Sequence, residues 1–496
     1  MLIKNRRFSG GYRFSKFEGE PGEKIIENPV PQKVIIPLKQ GFGKEVVPVV
    51  KKGDAVKAGQ MIGNDANSVS NPVHSSVNGT VEDIQKMAYP DGEIESVIIH
   101  SDGTDGWQAL KGQSSDWKKL SDEKIEELIY LSGVAALDSA GIPTRFNSSI
   151  VPPKDIKNII IQAAGDEVYN LSPEVLFEGD RLNQFIYGIR LLRRVMPGAA
   201  VHIVLNKYLK KLINKISSLS RDSDWIKIYP LEPKYPQSCN EVVIPTVLKK
   251  KYPYGFLPAS IGVVVLSAQT ALHVYEAVAL GKPLIERTIA LCGPGFDENL
   301  HVKVRVGTPV NDIISPNVKN PEDCRFVTDS TMKGNTITDT GLPIQRTWSK
   351  IVALREKKEG EMLSFAKPGF AKDSYSMTFA SSFINFKKNA DTNIHGEERA
   401  CISCGFCEQV CPVGIIPHLL FRYTERDLVD EILVIYRIYK CINCNLCTYV
   451  CPSKIQVAAY IKEGTEKLLE MGIDYTDPVK QSFELKGLEE YKGLTE

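Results

Sequence analysis

An α/β multidomain chain is predicted from three observations. Short alternating strands broken by glycines lie near the N-terminus. Apolar strands alternate with amphipathic helices through the middle, and two near-identical cysteine strings sit near the C-terminus. The length of 496 residues suits about three or four domains. A hydrophobic share of 43% and a charged share of 24% are ordinary for a globular chain with a sizeable core. The net charge of +1 provides no strong field, which argues against nucleic acid or an anionic lipid surface as a partner. No run of eighteen apolar residues occurs, and the opening MLIKNRRFSGGYRF lacks an apolar signal core. A chain kept in a reducing cytosol, reaching a membrane only through partners, is the expectation.

Residues 1–30 are polar and Gly/Lys-rich, with an aromatic stretch at Phe8–Phe14, and are expected to form an extended arm rather than a packed unit. Over 31–115, VPVVKKGDAVKAGQMIG and NPVHSSVNGTVEDI alternate valine with polar residues between the turn glycines Gly53, Gly59 and Gly79. This patterning suits a barrel-sandwich hybrid of the lipoyl or biotinyl type. The hairpin tip, Pro72–Val77, has no lysine to carry a prosthetic group, so the module reads as structural, and His74 reads as a surface residue beside a turn.

The α/β domain is expected over 120–283. Ser121 is the N-cap of a helix over 121–136 whose apolar stripe is Ile125, Leu128, Ile129 and Leu131. A buried strand at Ile159–Ile161, a helix from Arg181 to Met196, the strand AAVHIVLN and a lysine-rich helix near 207–217 follow. Then come a strand at Val263–Leu266 and a helix over Ala268–Leu280 ended by Gly281. Residues 284–330 return to β patterning, with HVKVRVGTP as the clearest strand, and 331–395 read as a linker region. Cys292-Gly293-Pro294-Gly295 reads as a strand-to-loop turn rather than a phosphate site. After the first cysteine string, residues 415–440 read as helix, so 396–496 form a helical rather than compact β-containing domain.

Eight of the eleven cysteines lie in CISCGFCEQVCP, with Cys401, Cys404, Cys407 and Cys411, and CINCNLCTYVCP, with Cys441, Cys444, Cys447 and Cys451. Each reads C-x2-C-x2-C-x3-C-P, the spacing that holds a [4Fe–4S] cluster. Zinc sites use paired C-x2-C units and leave no role for a third spaced cysteine. A disulfide framework suits small secreted domains instead. In two-cluster ferredoxins the cysteine before proline ligates the other cluster. One cluster is therefore expected on Cys401, Cys404, Cys407 and Cys451, and the second on Cys441, Cys444, Cys447 and Cys411.

Taken in order, these units resemble RnfC, the C subunit of the Rnf complex, a membrane-bound ion-translocating ferredoxin:NAD oxidoreductase. The resemblance spans nearly the whole chain and is carried by FSGGYRF, VKKGDAVKAGQMIG, SAGIPT at 139–144, KPLIERTIALCG at 282–293 and VRVGTP at 304–309. More distantly the chain is similar to the A subunit of the sodium-pumping NADH:quinone reductase, which lacks such clusters, and to a cobalamin-reductase subunit of microcompartments. The resemblance implies a β-grasp-like segment at 284–330 and an FMN- and NADH-binding fold over the α/β domain. It also implies a peripheral place on the cytoplasmic side of the membrane. Implied partners are the other Rnf-type membrane and iron–sulfur subunits, with ferredoxin, flavodoxin or a cytochrome exchanging electrons.

Family members that use NADH carry a loop like GxGGAGFPT after the first helix, whose glycines let backbone N–H groups approach a phosphate. Here the matching stretch runs from Ala136 to Thr144, and three glycine positions have become Ala136, Asp138 and Ser139. Asp138 adds a negative charge where a phosphate would sit. A second motif, near NGAECEPY, reads Gln162 to Tyr169 and keeps Glu167 and Tyr169. A third, near YPQGGEKQ, reads Tyr235 to Val242 and has lost its lysine. The expectation is a fold retained without FMN or NAD(H), with Gly141, Gly165 and Glu167 the residual cofactor-binding candidates. An electron-relay subunit is the expected function. An NADH-oxidising flavin dehydrogenase of RnfC or cobalamin-reductase type is the alternative, and a scaffold with structural clusters a third reading.

Overall fold

The computed structural model describes residues 2–3, 6–14, 17–90, 92–138, 141–146, 148–165, 167–356 and 398–473. Its first strand, β1 (Ile25–Glu27), leaves to join a later sheet. Seven strands then build two small antiparallel sheets: β2 (Lys33–Pro37), β3 (Val47–Pro48), β4 (Ala55–Val56), β5 (Met61–Asn64), β6 (Val73–His74), β7 (Gly79–Tyr89) and β8 (Gly92–Ser101). One sheet has the order β2-β8-β7-β4 and the other β3-β5-β6. Between them Val34, Ile36, Ile62, Val81, Val97 and Ile99 pack as one core. Each such aliphatic side chain contributes about 1.5–3 kcal/mol on burial. The valine alternation in the sequence is the signature of this layer.

His74 departs from the sequence reading. It is buried rather than on the surface, with 6% of its area exposed. Burial, helped by the neighbouring Arg346 guanidinium, pushes its imidazole down to about 3. Arg346 is itself buried, donating through Nε to the Gln40 carbonyl at 2.7 Å and through Nη1 to the carbonyls of Pro72 at 3.0 Å and Gly133 at 3.4 Å. It thereby ties the hairpin tip to the segment after the next helix.

The central unit runs α1 (Asp122–Leu131), β9 (Asn158–Ala163), α2 (Pro173–Leu176), α3 (Arg181–Val195), β10 (Ala200–Asn206), α4 (Lys210–Leu219), β11 (Ile226–Leu231), α5 (Asn240–Leu248), β12 (Val263–Ser267) and α6 (Ala268–Tyr275). The Ser121 hydroxyl accepts from Lys124 N at 3.2 Å, the expected cap of α1. The four strands are parallel in the order β11-β10-β9-β12. Successive side chains on β9 serve opposite faces. Ile159 and Ile161 pack with α1, α3, α4 and α6, whereas Ile160 packs with Val243, Ile244 and Val247 of α5. The chain starts in β9, moves outward to β11, and returns to β12 on the other side. The C-terminal ends of β9 and β12 therefore flank a topological switch point, where open α/β sheets bind ligands.

The third sheet mixes parallel and antiparallel pairs. Its strands are β13 (Glu286–Cys292), β14 (Leu300–Arg305), β15 (Cys324–Thr328) and β16 (Lys350–Arg355), with the short helix α7 (Val310–Ile314) between the hairpins. The order is β1-β14-β13-β16-β15. Two expectations are corrected here. The segment read as a linker supplies β16, a fully paired strand whose Ile351, Val352 and Ala353 are completely buried; its residues 357–395 lie outside the described residues. The arm is extended but packed: β1 pairs parallel with β14, and Tyr12 and Phe17 are buried.

The C-terminal unit comprises α8 (Phe406–Gln409), α9 (Pro417–Glu425), α10 (Glu431–Ile435), α11 (Leu446–Tyr449) and α12 (Val457–Glu470). The helical reading of 415–440 holds, with breaks at Asp427 (φ 55°) and Arg437 (φ 64°), where the backbone turns left-handed. α9 and α12 pack closely at Gly464, where a Cβ would lie 2.5 Å from Thr424 Oγ1. Among the described residues, no helix is long and apolar enough to cross a membrane.

Candidate functional site

At the switch point, the loop after α1 meets the N-terminus of α6. Asp138 Oδ1 accepts from the Ser267 backbone N–H at 3.1 Å, and Oδ2 accepts from Thr270 Oγ1 at 2.7 Å. The Ser267 hydroxyl caps the same helix by accepting from Thr270 N at 3.1 Å. A carboxylate thus occupies the positive end of α6, the position an anionic phosphate would require. Burial pushes the Asp138 carboxyl up to about 6, against the hydrogen bonds from Thr270 and Ser267 and the attraction of Arg287. This donor set does not fit a second anion at that helix end.

The loop after β9 carries the other candidates. Gly165 adopts φ +60°, a left-handed turn, and a Cβ there would make only ordinary contact with Asn170, at 3.4 Å. Glu167 is committed to an ion pair: Lys350 Nζ donates to its Oε2 at 3.1 Å, with both side chains largely buried, and also to the Tyr169 carbonyl. Gly141, at φ +67°, stands where a Cβ would lie 2.5 Å from the Ser148 carbonyl oxygen, so close packing explains it. The neighbouring Ser139, Ala140 and Asp166 of the two loops lie outside the described residues.

Arg287, on β13, was not singled out from the sequence. It is buried, and among the described residues its Nε and Nη1 have no hydrogen-bond partner. Burial lowers its guanidinium to about 10, while Asp138, Asp329 and Glu276 hold it charged. Gln162 Nε2, at the end of β9, is likewise buried without a partner. Such donors are costly to leave unmade, so they mark a polar enclosure beside the switch point. Arg287 lies in the quoted string KPLIERTIALCG, but nothing in the sequence signals that its guanidinium points inward among carboxylates.

The cysteine strings fold into two equivalent loops. Ser403 and Asn443 take φ 52° and 49°, and Gly405 and Asn445 take 74° and 59°, so matching positions turn left-handed in both. The thiols fall into two electrostatic groups. Burial raises Cys407 to about 12, with Cys404, Cys451 and Cys401 adding to it; burial also raises Cys451, with Cys404 and Cys401 adding. In the other group burial raises Cys441 to about 11, with Cys411 adding, and Cys444 to about 12, with Cys441, Cys411 and Cys239 adding. Cys447 is driven up by burial and by Cys444, Cys441, Cys407 and Cys411. Cys451 therefore lies within electrostatic reach of Cys401, Cys404 and Cys407, and Cys411 within reach of Cys441, Cys444 and Cys447. Among the described residues no three His, Cys, Asp or Glu side chains close on the spacing of a single metal ion. The two groups of four fit cubane clusters, which spread their ligands over separate corner irons. Cysteine binds iron as thiolate, so metal insertion here releases protons.

Comparison with known proteins sets these sites in a family. A model of the RnfC barrel sandwich hybrid domain matches residues 7–104, one of the Nuo51 FMN-binding domain matches 129–276, and one of a 4Fe-4S dicluster domain matches 397–455. The chain is 29% identical over 459 residues to the C subunit of the proton-translocating ferredoxin:NAD(+) oxidoreductase complex of Clostridium ljungdahlii, covering 92% of this chain and 93% of that one. It is 26% identical over 444 residues to the C subunit of the Na(+)-translocating ferredoxin:NAD(+) oxidoreductase complex of Acetobacterium woodii, covering 87% and 90%. The C subunit of an ion-translocating oxidoreductase complex of Pseudomonas aeruginosa is 27% identical over 413 residues, 82% of this chain and 49% of that one. With these domains in this order, and relatives aligned over most of both lengths, the chain is similar to RnfC subunits over nearly all of its length.

Proposed function

We propose that this chain is the iron–sulfur electron-transfer subunit of an Rnf-type ion-translocating ferredoxin:NAD oxidoreductase, and that it relays electrons through two [4Fe–4S] clusters without NADH or FMN of its own. The two groups of four cysteine thiols, Cys401, Cys404, Cys407 with Cys451 and Cys441, Cys444, Cys447 with Cys411, are the observation that carries this reading. When bound, each cubane supplies a one-electron couple; the chain contributes ligation, close spacing and control of potential. The relatives' names as subunits of ion-translocating complexes support other Rnf-type subunits as partners, which would hold the chain peripherally at a membrane, on its cytoplasmic side in our reading. Ferredoxin, flavodoxin or a cytochrome would exchange electrons with the relay. The strand order β14-β13-β16-β15, with the central pair parallel, supports the β-grasp-like reading of 284–330, extended to β16.

Asp138 at the α6 N-terminus and Glu167 held by Lys350 support the absence of a flavin phosphate. The unpartnered Arg287 and Gln162 donors favour the other reading, a flavin dehydrogenase with a rewritten loop, because they leave room for an oxygen-bearing ligand nearby. Cofactor analysis of the purified protein decides between them. About eight iron atoms per chain with no flavin is the expected result. Stoichiometric FMN with cluster reduction by NADH would replace the relay with the dehydrogenase.

A further inference from the structure

The two cysteine loops share one backbone form but not one environment. At matching positions, Ile402 of the first loop is 66% exposed while Ile442 of the second packs against an aromatic core. Gln409 of the first is exposed, whereas Tyr449 of the second is buried. Cys444 and Cys447 are buried where Cys404 and Cys407 are only half-buried.

What covers the second loop is the N-terminal arm. The Tyr12 ring lies 5.4 Å and the Phe14 ring 5.3 Å from that of Tyr449. Phe14 also lies 5.9 Å from Tyr235, whose hydroxyl donates to the Cys444 carbonyl at 3.0 Å. Tyr12 and Tyr235 exchange backbone hydrogen bonds of 2.9 Å, and Gly11 N donates to the Val410 carbonyl at 2.7 Å. Gly10, at φ +67°, passes so close that a Cβ would lie 2.3 Å from the Cys411 carbonyl oxygen. Asn445 Nδ2 donates to the Met332 carbonyl and closes another side. The open edge left is the Cys441–Asn443 side, facing a cleft with Tyr254 and Tyr439.

Reduction adds a negative charge to a cubane already held by four thiolates, and low dielectric penalises that charge. N–H donors to the ligand sulfurs offset part of the penalty in both groups. Ser403 N donates to Cys401 Sγ at 3.4 Å, Glu408 N to Cys407, and Ser453 and Ile455 N to Cys451. In the second group the corresponding donors are Asn443 N to Cys441 and Leu446 N to Cys444. Cations stand beside both loops. Lys333 reaches Cys239 Sγ beside Cys444 at 3.0 Å, while Arg422 bonds Ser403 and Arg399 crowds Lys454 beside the first loop.

We propose that the N-terminal arm is part of the second cluster's site, with Tyr12, Phe14 and Tyr235 as positioning residues that exclude water and hold this cluster at a lower potential than the first. The inference rests on the two-cluster reading. Electrons shared between the clusters then settle on the outer, first one. The full-length protein as isolated is titrated with dithionite at set potentials and followed by EPR. The signal lost in Cys444→Ser is assigned to the second cluster. Two couples are expected, with the second cluster reduced last. Phe14→Ala should raise the second potential by about 59 mV, tenfold in the partition of one electron, and leave the first unmoved. Phe14→Leu, which keeps apolar volume, should give a smaller shift in the same direction and serves if the alanine variant loses iron. A first cluster reduced last, equal potentials, or a Phe14 effect confined to the first cluster would overturn the proposal. Iron near four per chain would instead sink the two-cluster reading itself.

Discussion

Replacing Asp138 by glycine removes the carboxylate from the α6 N-terminus and leaves the Ser267 cap in place. If a phosphate approached that end to about 4 Å from the carboxylate, the repulsion at an effective dielectric near 20 would be about 4 kcal/mol. That corresponds to about a thousandfold in affinity. The protein should show no FMN binding by fluorescence quenching near pH 7.5, whereas Asp138→Gly should bind measurably. Asp138→Asn removes the charge and keeps the shape, so it should recover most of the same gain. Because burial places the Asp138 carboxyl at about 6, the unaltered protein should also gain affinity as pH falls through 6 and the charge is lost. The cost to stability should be modest, about 1 kcal/mol, since one helix cap remains. Tight FMN binding by the unaltered protein, or no gain in either variant, would refute the reasoning; a gain in glycine alone would assign the block to shape instead of charge.

The crossed ligation predicts that Cys411→Ser abolishes the EPR signal of the Cys441, Cys444 and Cys447 cluster, and that Cys451→Ser abolishes the other; the reverse pattern would show uncrossed ligation. Lys350→Met leaves Glu167 buried without its cation and should cost about 3–5 kcal/mol in denaturant unfolding, with much of it recovered by adding Glu167→Leu. His74 is held neutral in the fold, its imidazole at about 3 against an ordinary value of 6.5. Its contribution is present above pH 6.5 and lost as pH falls toward 3, at about 1.4 kcal/mol per pH unit. A His74→Gln variant should therefore lose less of its melting temperature between pH 7 and pH 5.

The α/β order was legible because strands such as Ile159–Ile161 are continuous apolar runs and helices carry their own caps, Ser121 among them. The cysteine spacing made an iron–sulfur domain readable, since the thiols of each string are local in sequence. Long-range partners were not readable. His74 looks like a turn residue until Arg346, 272 positions on, covers it. Lys350 looks like linker, yet its pairing with Glu167 joins two sheets. Arg287 gave no sign of pointing inward, because a strand's register decides which side a residue faces. The aromatic arm misled because part of its packing is distant in sequence: besides its neighbours Tyr12 and Phe17, Phe14 meets Tyr235 and Tyr449.

The arm also ties together the two ends of synthesis. Gly11 and Tyr12 leave the ribosome long before Val410 and Tyr449, and contacts so distant in sequence form late in folding. A bulky residue at Gly10 would collide with the Cys411 backbone, and its first effect is expected as slow or incomplete iron loading of a site some 400 residues away, read as iron per chain.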